Sequence, residues 1–193
     1  MTDALVASIG LIAISPVLAL IAVLVWSSMG RPILFRQLRA GLHGRPFTLF
    51  KFRTMRRAVG TDEDSTDDGA RLTGLGRFLR AASLDELPEL LNVIVGDMSL
   101  VGPRPLLIDY LSLYTPEQAR RHAVRPGMTG WAQIRGRNSL TWDERLKLDV
   151  WYVDHRSPWL DLLILAATPI VVLKRRGISH PGHATMDRFR GSK

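Results

Sequence analysis

From Ala4 to Trp26 the chain is almost continuously apolar, and no charged residue occurs between Ala4 and Gly30. A run of that length is long enough to cross a bilayer. Ser15 and Pro16 stand at its middle, where proline removes a backbone donor and crowds the preceding turn, so a kink is expected there. The pattern leaves two arrangements open: a spanning helix, and a re-entrant one that enters and leaves by the same face. A cleaved signal peptide fits poorly, because it wants a basic segment ahead of the apolar one and only Asp3 is charged there.

Beyond residue 30 the pattern shortens. Ile33–Arg36 and Phe47–Met55 read as strands flanking the turn-rich AGLHGRP, a β-hairpin. In FTLFKFRTM, alternation puts Phe50 and Phe52 on one face and Lys51 and Arg53 on the other, a face suited equally to headgroups or solvent and to phosphate. Leu84, Leu87, Leu90, Leu91 and Ile94 follow helical spacing, and Ser83 with Glu86 predicts a capping box that starts this helix near Ser83 or Asp85. Thr115-Pro116 with Gln118, and Thr141 with Glu144, predict caps for the helices PEQARRHA and WDERLKLDVWYV. Between them RPGMTGWAQIRGRN reads as an irregular loop whose glycines would let it approach a ligand closely. Trp159 to Leu173 is apolar but interrupted by Asp161 and Pro169 and followed by Lys174, Arg175 and Arg176. It is short for a span, and reads as an interfacial helix or a buried core helix. Thr61 to Gly69, with five acidic residues, reads as a mobile surface loop rather than a metal site.

Composition narrows the picture. At 193 residues, 46% of them hydrophobic, the chain suits one domain plus an appendage, divided as a membrane helix over 1–30 and a catalytic domain over 31–193. The net charge of +8 calls for a polyanionic partner. Arg31, Arg36, Arg39, Arg45, Lys51, Arg53, Arg56 and Arg57 all precede the next acidic residue, Asp62, which places this flank on the cytoplasmic side and makes anionic lipid a better partner than nucleic acid. The absence of cysteine excludes disulfides and thiol chemistry. Nothing in the sequence speaks to oligomeric state.

The candidate chemistry lies in SLDELPELLNVIVGDMSLVGPRP. Asp85 and Glu86 fall at the positive end of the predicted helix, where their ionised forms are favoured, as a nucleophile or a magnesium ligand requires. Being adjacent, they point roughly 100° apart and suit two different roles. Taken alone, the pair is equally an ordinary capping element. Pro103 and Pro105 hold Arg104 in an extended segment, and its fork suits phosphate oxygens. Anchor, carboxylates and arginine together suggest phosphoryl transfer at a bilayer surface.

SLDELPELLNVIVGDMSLVGPRPLL, FKFRTM, VRPGMTGWAQIRGRN and GHATMDRFRG, in that order, resemble the bacterial sugar transferase family, the small monotopic phosphoglycosyl transferases. The tail Gly182–Gly191 is similar to that of the branch transferring phospho-N,N'-diacetylbacillosamine. One departure is the lack of the basic stretch that family members carry before the apolar helix. The resemblance implies an α/β fold, mostly α with a short β-hairpin, in which a re-entrant helix broken at Ser15-Pro16 precedes a small globular domain with interfacial helices. It implies transfer of a sugar 1-phosphate from a UDP-sugar to undecaprenyl phosphate, with release of UMP, at the cytoplasmic face of the bacterial inner membrane. Asp85 would be the nucleophile, Glu86 the ligand of Mg2+, and Lys51 the support of the acidic pair. Arg104 with Pro103, Arg137 and Arg53 would bind the substrate. The rivals are the same reaction with UDP-N-acetylglucosamine, UDP-galactose or UDP-glucose, a non-catalytic membrane-surface module, and a nucleic-acid binder.

Overall fold

Helix α1 (Thr2–Met29) runs through Ser15 and Pro16 without interruption in the computed structural model, which describes residues 2–56, 71–136, 139–173 and 188–191. The expected break is offset locally. Proline cannot donate to the carbonyl four residues back, that of Ile12, and the Ser15 hydroxyl donates to that oxygen instead (2.8 Å). One stripe of α1 packs along the domain for the helix's whole length: Ala7, Leu11 and Ile14 against Phe47, Leu49, Leu90, Val93 and Met98, then Leu18, Ile21, Ala22, Val25 and Met29 against Phe52 and Leu79. Both ends are tied down. Asp3 accepts hydrogen bonds from the Ser99 hydroxyl and from the Leu100 amide (3.3 Å), while Arg53 donates to the carbonyls of Met29 and Gly30. The opposite face, including Leu5, Ile9, Ile12, Leu20, Val23 and Trp26, is apolar and exposed.

The hairpin forms as expected. β1 (Leu34–Ala40) pairs antiparallel with β2 (Pro46–Phe52), from Leu34 opposite Phe52 to Ala40 opposite Pro46, around a short 3-10 turn over Leu42–Gly44. The face that carries Lys51 is not solvated. Phe47 and Leu49, four and two residues earlier, are buried, so Lys51 continues an inward-facing row. Arg36, Arg45 and Arg56 remain exposed, but Lys51 and Arg53 turn inward, so the basic flank is only partly a lipid-facing surface.

Helix α2 (Gly74–Ala81) is capped by the Thr73 hydroxyl, which accepts from the Gly76 amide (2.9 Å). Gly76 is required here: a Cβ would lie 2.0 Å from the Thr54 carbonyl oxygen. The next segment differs from expectation. Ser83 adopts φ 55° and caps nothing with its side chain; Leu84–Glu86 form a single 3-10 turn, and α3 spans Glu89–Val95 behind Pro88. The leucine stripe survives in part, with Leu84 and Leu87 in one core cluster and Leu90 and Ile94 in another, but Leu91 is exposed and leaves it.

β3 (Ser99–Val101) pairs parallel with β4 (Gly127–Thr129), which lies within the stretch expected to be irregular. Its glycines serve backbone packing rather than ligand approach, since a Cβ on Gly127 would lie 2.0 Å from the Gly102 nitrogen. Both remaining capping boxes form, on α4 (Pro116–Ala119) and α6 (Trp142–His155), with the short α5 (Trp131–Arg135) between them. In α7 (Pro158–Leu173) Ile164 is buried, whereas Trp159, Leu162, Leu163, Ile170 and Leu173 are exposed, so α7 is not a helix buried in the core of this chain. From the tail, Phe189 is buried against Leu106, Tyr110 and Leu146. Arg137, the acidic stretch Thr61–Gly69, the basic Lys174–Arg176 and most of the tail motif lie outside the described residues. The fold is mostly helical, as expected, and among the described residues it adds to the expected hairpin a second small sheet, β3–β4.

Candidate functional site

Three segments converge. β2 supplies Lys51, the 3-10 turn and α3 supply Asp85, Glu86 and Glu89, and the loop after β3 supplies Arg104. Asn92 sets the register between the first two. Fully buried on α3, it accepts from the Phe50 amide (3.1 Å) and donates to the Thr48 carbonyl (2.7 Å), pairing with the edge of β2 on either side of Leu49. Its position one helical turn after Glu89 holds that carboxylate over Lys51.

Lys51 Nζ then lies 2.7 Å from Glu86 Oε1 and 3.1 Å from Glu89 Oε1. Arg104 Nη2 donates to the same Glu86 Oε1, and its Nη1 lies 3.5 Å from Oε2. Burial alone would raise the Glu86 carboxyl, but the Arg104 and Lys51 charges override it and hold Glu86 well below the usual carboxylate range. Glu89 goes the other way: burial, with Glu86 nearby, lifts its pKa from 4.5 to about 7 despite Lys51. Asp85 is buried, and burial followed by the Glu86 charge raises it, while Lys51, Arg80 and Arg104 pull it back. The sequence reading favoured an ionised Asp85 through a helix terminus. In the structure burial opposes ionisation of Asp85, and the charges of Lys51, Arg80 and Arg104 favour it. A desolvated carboxylate facing cations is basic and poorly hydrated, both useful in a nucleophile.

A second ion pair holds the arginine loop. Arg121 donates to Asp149 Oδ2 through Nε (3.1 Å) and Nη2 (2.8 Å), and Nη2 also donates to the Arg104 carbonyl (2.7 Å). Pro103 contributes its carbonyl, which accepts from the Gly127 amide (3.0 Å), so it positions the loop from beneath.

The structure therefore brings together Lys51, Asp85, Glu86 and Arg104. Arg53 donates to the carbonyls of Met29 and Gly30 at the C-terminal end of α1, so it fastens the helix. Ser15 and Pro16 lie within α1. Sequence reasoning missed Glu89, Arg80, Asn92 and the pair Arg121–Asp149. Asn92 carried a signal, being polar between Leu90, Leu91, Val93 and Ile94; the others looked like ordinary charged helix positions.

No group of three or more acidic or histidine side chains converges as a metal cage among the described residues. Asp85 and Glu86 nevertheless offer hard oxygen donors of the kind magnesium accepts when one or two carboxylates share it with substrate phosphates, so these residues fit that mode of binding.

Fold and site define a small helical domain fastened to a long apolar helix, with a carboxylate-bearing centre ringed by cations. The family model described as "Bacterial sugar transferase" matches residues 1–175. The chain is 57% identical over 164 residues to the uncharacterized sugar transferase EpsL of Bacillus subtilis (strain 168), covering 85% of this chain and 81% of that protein. It is 40% identical to the UDP-glucose:undecaprenyl-phosphate glucose-1-phosphate transferase of Xanthomonas campestris pv. campestris, covering 90% of this chain but 38% of the relative. It is also 40% identical to the undecaprenyl-phosphate galactose phosphotransferase of Salmonella typhimurium, covering 77% of this chain and 35% of the relative. This chain belongs to the bacterial sugar transferase family.

Proposed function

We propose that the protein transfers a sugar 1-phosphate from a UDP-sugar to undecaprenyl phosphate in two steps, with Asp85 as nucleophile. The observation that carries this reading is the buried Asp85 carboxylate beside Glu86, faced by Lys51, Arg80 and Arg104, on a domain clamped to an apolar helix. Relatives named for glucose-1-phosphate and galactose phosphate transfer to undecaprenyl phosphate support the reaction class. In the first step an Asp85 oxygen attacks the sugar-bearing phosphorus, the bond to the bridging oxygen breaks, and UMP leaves with that electron pair. In the second, an oxygen of the acceptor phosphate attacks the same phosphorus and the bond to Asp85 breaks, restoring the carboxylate. Arg104 and Lys51 are proposed to neutralise the phosphoryl oxygens while Glu86 orients both cations. Mg2+, held by Glu86, would supply charge neutralisation of the diphosphate.

The membrane arrangement follows from α1. A 28-residue helix is about 42 Å long, and a crossing would carry its far end to the other side of the bilayer. Because both ends of α1 are held by one domain, a helix that dips into one leaflet and stays on the face of the domain is favoured, with α7 beside it. The basic flank supports the cytoplasmic side of a bacterial inner membrane as that face. A thiol placed at Thr2 should then resist an impermeant reagent applied to intact cells; labelling from outside would show a crossing helix.

The donor is proposed to be UDP-N,N'-diacetylbacillosamine, on the resemblance of the tail Gly182–Gly191, with UDP-glucose, UDP-galactose and UDP-N-acetylglucosamine as rivals. Equal turnover of a plain hexose donor would remove that branch and leave the reaction standing. The decisive experiment supplies donor without lipid. About one UMP per site should be released and a phosphosugar adduct should appear by intact mass on the peptide containing Asp85, with both absent in Asp85→Asn. An adduct on another peptide would move the nucleophile, and no adduct with a single-step rate would mean direct transfer.

A further inference from the structure

The end of β1 is joined to the segment that follows the arginine loop. Arg39 bridges Leu107, and the Ala40 amide donates to the Leu106 carbonyl (3.1 Å). This pairing carries the Arg39 guanidinium to the foot of Pro103–Pro105, beside Arg104. There it is poorly satisfied. Nη2 donates to Gln37, Nη1 reaches the Pro105 carbonyl only at 3.5 Å, and the buried Nε has no hydrogen-bond partner. No carboxylate of the described residues pairs with it, in contrast to Lys51, Arg104, Arg120 and Arg121. After burial, the influence acting on it most strongly is the like charge of Arg104, with Glu89, Tyr110 and Glu86 acting more weakly in the opposite sense; its pKa falls to about 10.

Arg39 and Arg104 are like charges that act on each other, and of the two only Arg104 has a carboxylate partner among the described residues. Glu86 is already shared by Lys51 and Arg104, and Glu89 is taken by Lys51. A half-buried cation beside another cation is costly unless an anion completes the group. We propose that Arg39 is a further phosphate ligand of this site, presenting its fork beside that of Arg104 to phosphate oxygens of a substrate. The inference rests on the transferase reading above, and adds a residue that reading does not use. The phosphate belongs either to the diphosphate of the UDP-sugar or to the polyprenyl phosphate acceptor, and the two half-reactions separate these sources.

The test uses the full chain in detergent or nanodiscs, with Arg39→Gln and Arg39→Lys. If the donor phosphate is the partner, Arg39→Gln raises the donor KM about tenfold or more and slows lipid-free UMP release, and Arg39→Lys, which keeps the charge but loses the fork, shows a smaller but measurable rise. If the acceptor phosphate is the partner, UMP release without lipid is unchanged and the acceptor KM rises instead. In either case, stabilisation of the protein by added pyrophosphate, read as a rise in Tm, weakens in Arg39→Gln. A structural role alone predicts a lowered Tm without ligand, an unchanged pyrophosphate response and equal damage in both variants, and that result overturns the proposal. Should Arg39→Gln fail to fold, Arg39→Lys decides: a pyrophosphate response and both KM values equal to wild type mean the fork binds no phosphate. Absence of UMP from the wild-type chain with every donor would defeat the transferase reading, whereas the pyrophosphate titration would still decide the fate of Arg39.

Discussion

Two arginine–carboxylate pairs lie one residue's carbonyl apart in this molecule and do opposite work. Arg121 and Asp149 have side chains only 1% and 2% exposed, whereas Arg104 and Glu86 are 37% and 20% exposed. Arg121 spends its bonds within the protein, on Asp149 and on the Arg104 carbonyl. Burial raises Asp149, and Arg121, with Arg145 behind it, pulls it back. Around Arg104 the charges do not resolve into pairs. Lys51 serves two carboxylates, Glu86 serves two cations, and Asp85 feels the charges of Lys51, Arg80 and Arg104 without an ion pair among the described residues. A closed, dry pair can only hold a loop in place. An open, over-shared cluster can exchange one internal partner for an incoming anion, because losing one contact leaves each group still partnered.

The largest effect that would sharpen this contrast is Asp85→Asn. Catalysis should fall at least about a thousandfold, with the urea midpoint unchanged or raised, since a buried carboxylate with no dedicated partner is removed. Asp149→Asn should reverse the order of effects. Stability should drop by about 3–5 kcal/mol in equilibrium denaturation, because Arg121 is left buried without its counter-ion, while the rate per folded molecule suffers far less than in Asp85→Asn. If Asp149→Asn lost rate and kept its stability, the division into holding pair and working cluster would fail.

Arg104→Lys keeps the charge and loses the fork. The donor KM should rise about tenfold with little change in Tm, measured by initial rates and thermal unfolding. The smallest effect concerns pH. Glu89 binds its proton more tightly in the folded protein, at about 7 against 4.5. Its contribution to stability is therefore greatest when it is protonated in both states, and is lost as the pH rises from about 4.5 through about 7, where the unfolded chain releases the proton first. Glu89→Gln carries no such proton, so its Tm should gain on that of the wild type between about pH 5 and about pH 8. A difference that stays flat over that range would mean that Lys51 keeps Glu89 ionised throughout, and that the cluster is less crowded than its geometry implies.

The two long apolar helices teach a related point. Both α1 and α7 contain a proline, and both were readable as membrane-contacting from their composition. Composition alone could not say that Pro16 would leave α1 uninterrupted, because that depends on where the Ser15 hydroxyl turns. Nor could it separate an interfacial α7 from a core helix, since an apolar run looks the same whether it faces lipid or protein.

The sequence by itself determined the features that depend on near neighbours: the apolar run, the hairpin and its turn, the caps at Thr115 and Thr141, and the presence of Lys51, Asp85, Glu86 and Arg104 in short, chemically legible stretches. Tertiary structure alone decided which charges meet. Lys51 faces inward because Phe47 and Leu49 bury the same strand face; Glu89 joins the site because Asn92 pins α3 to the edge of β2; Arg53 fastens the end of α1. The failed cap at Ser83 has the same origin, since the turn at Leu84–Glu86 is shaped by leucines packing against α1 and α2 rather than by the local capping pattern. Periodicity and capping act over three or four residues, whereas burial and charge act between segments 35 residues apart, as with Lys51 and Glu86, and only the folded chain brings those together.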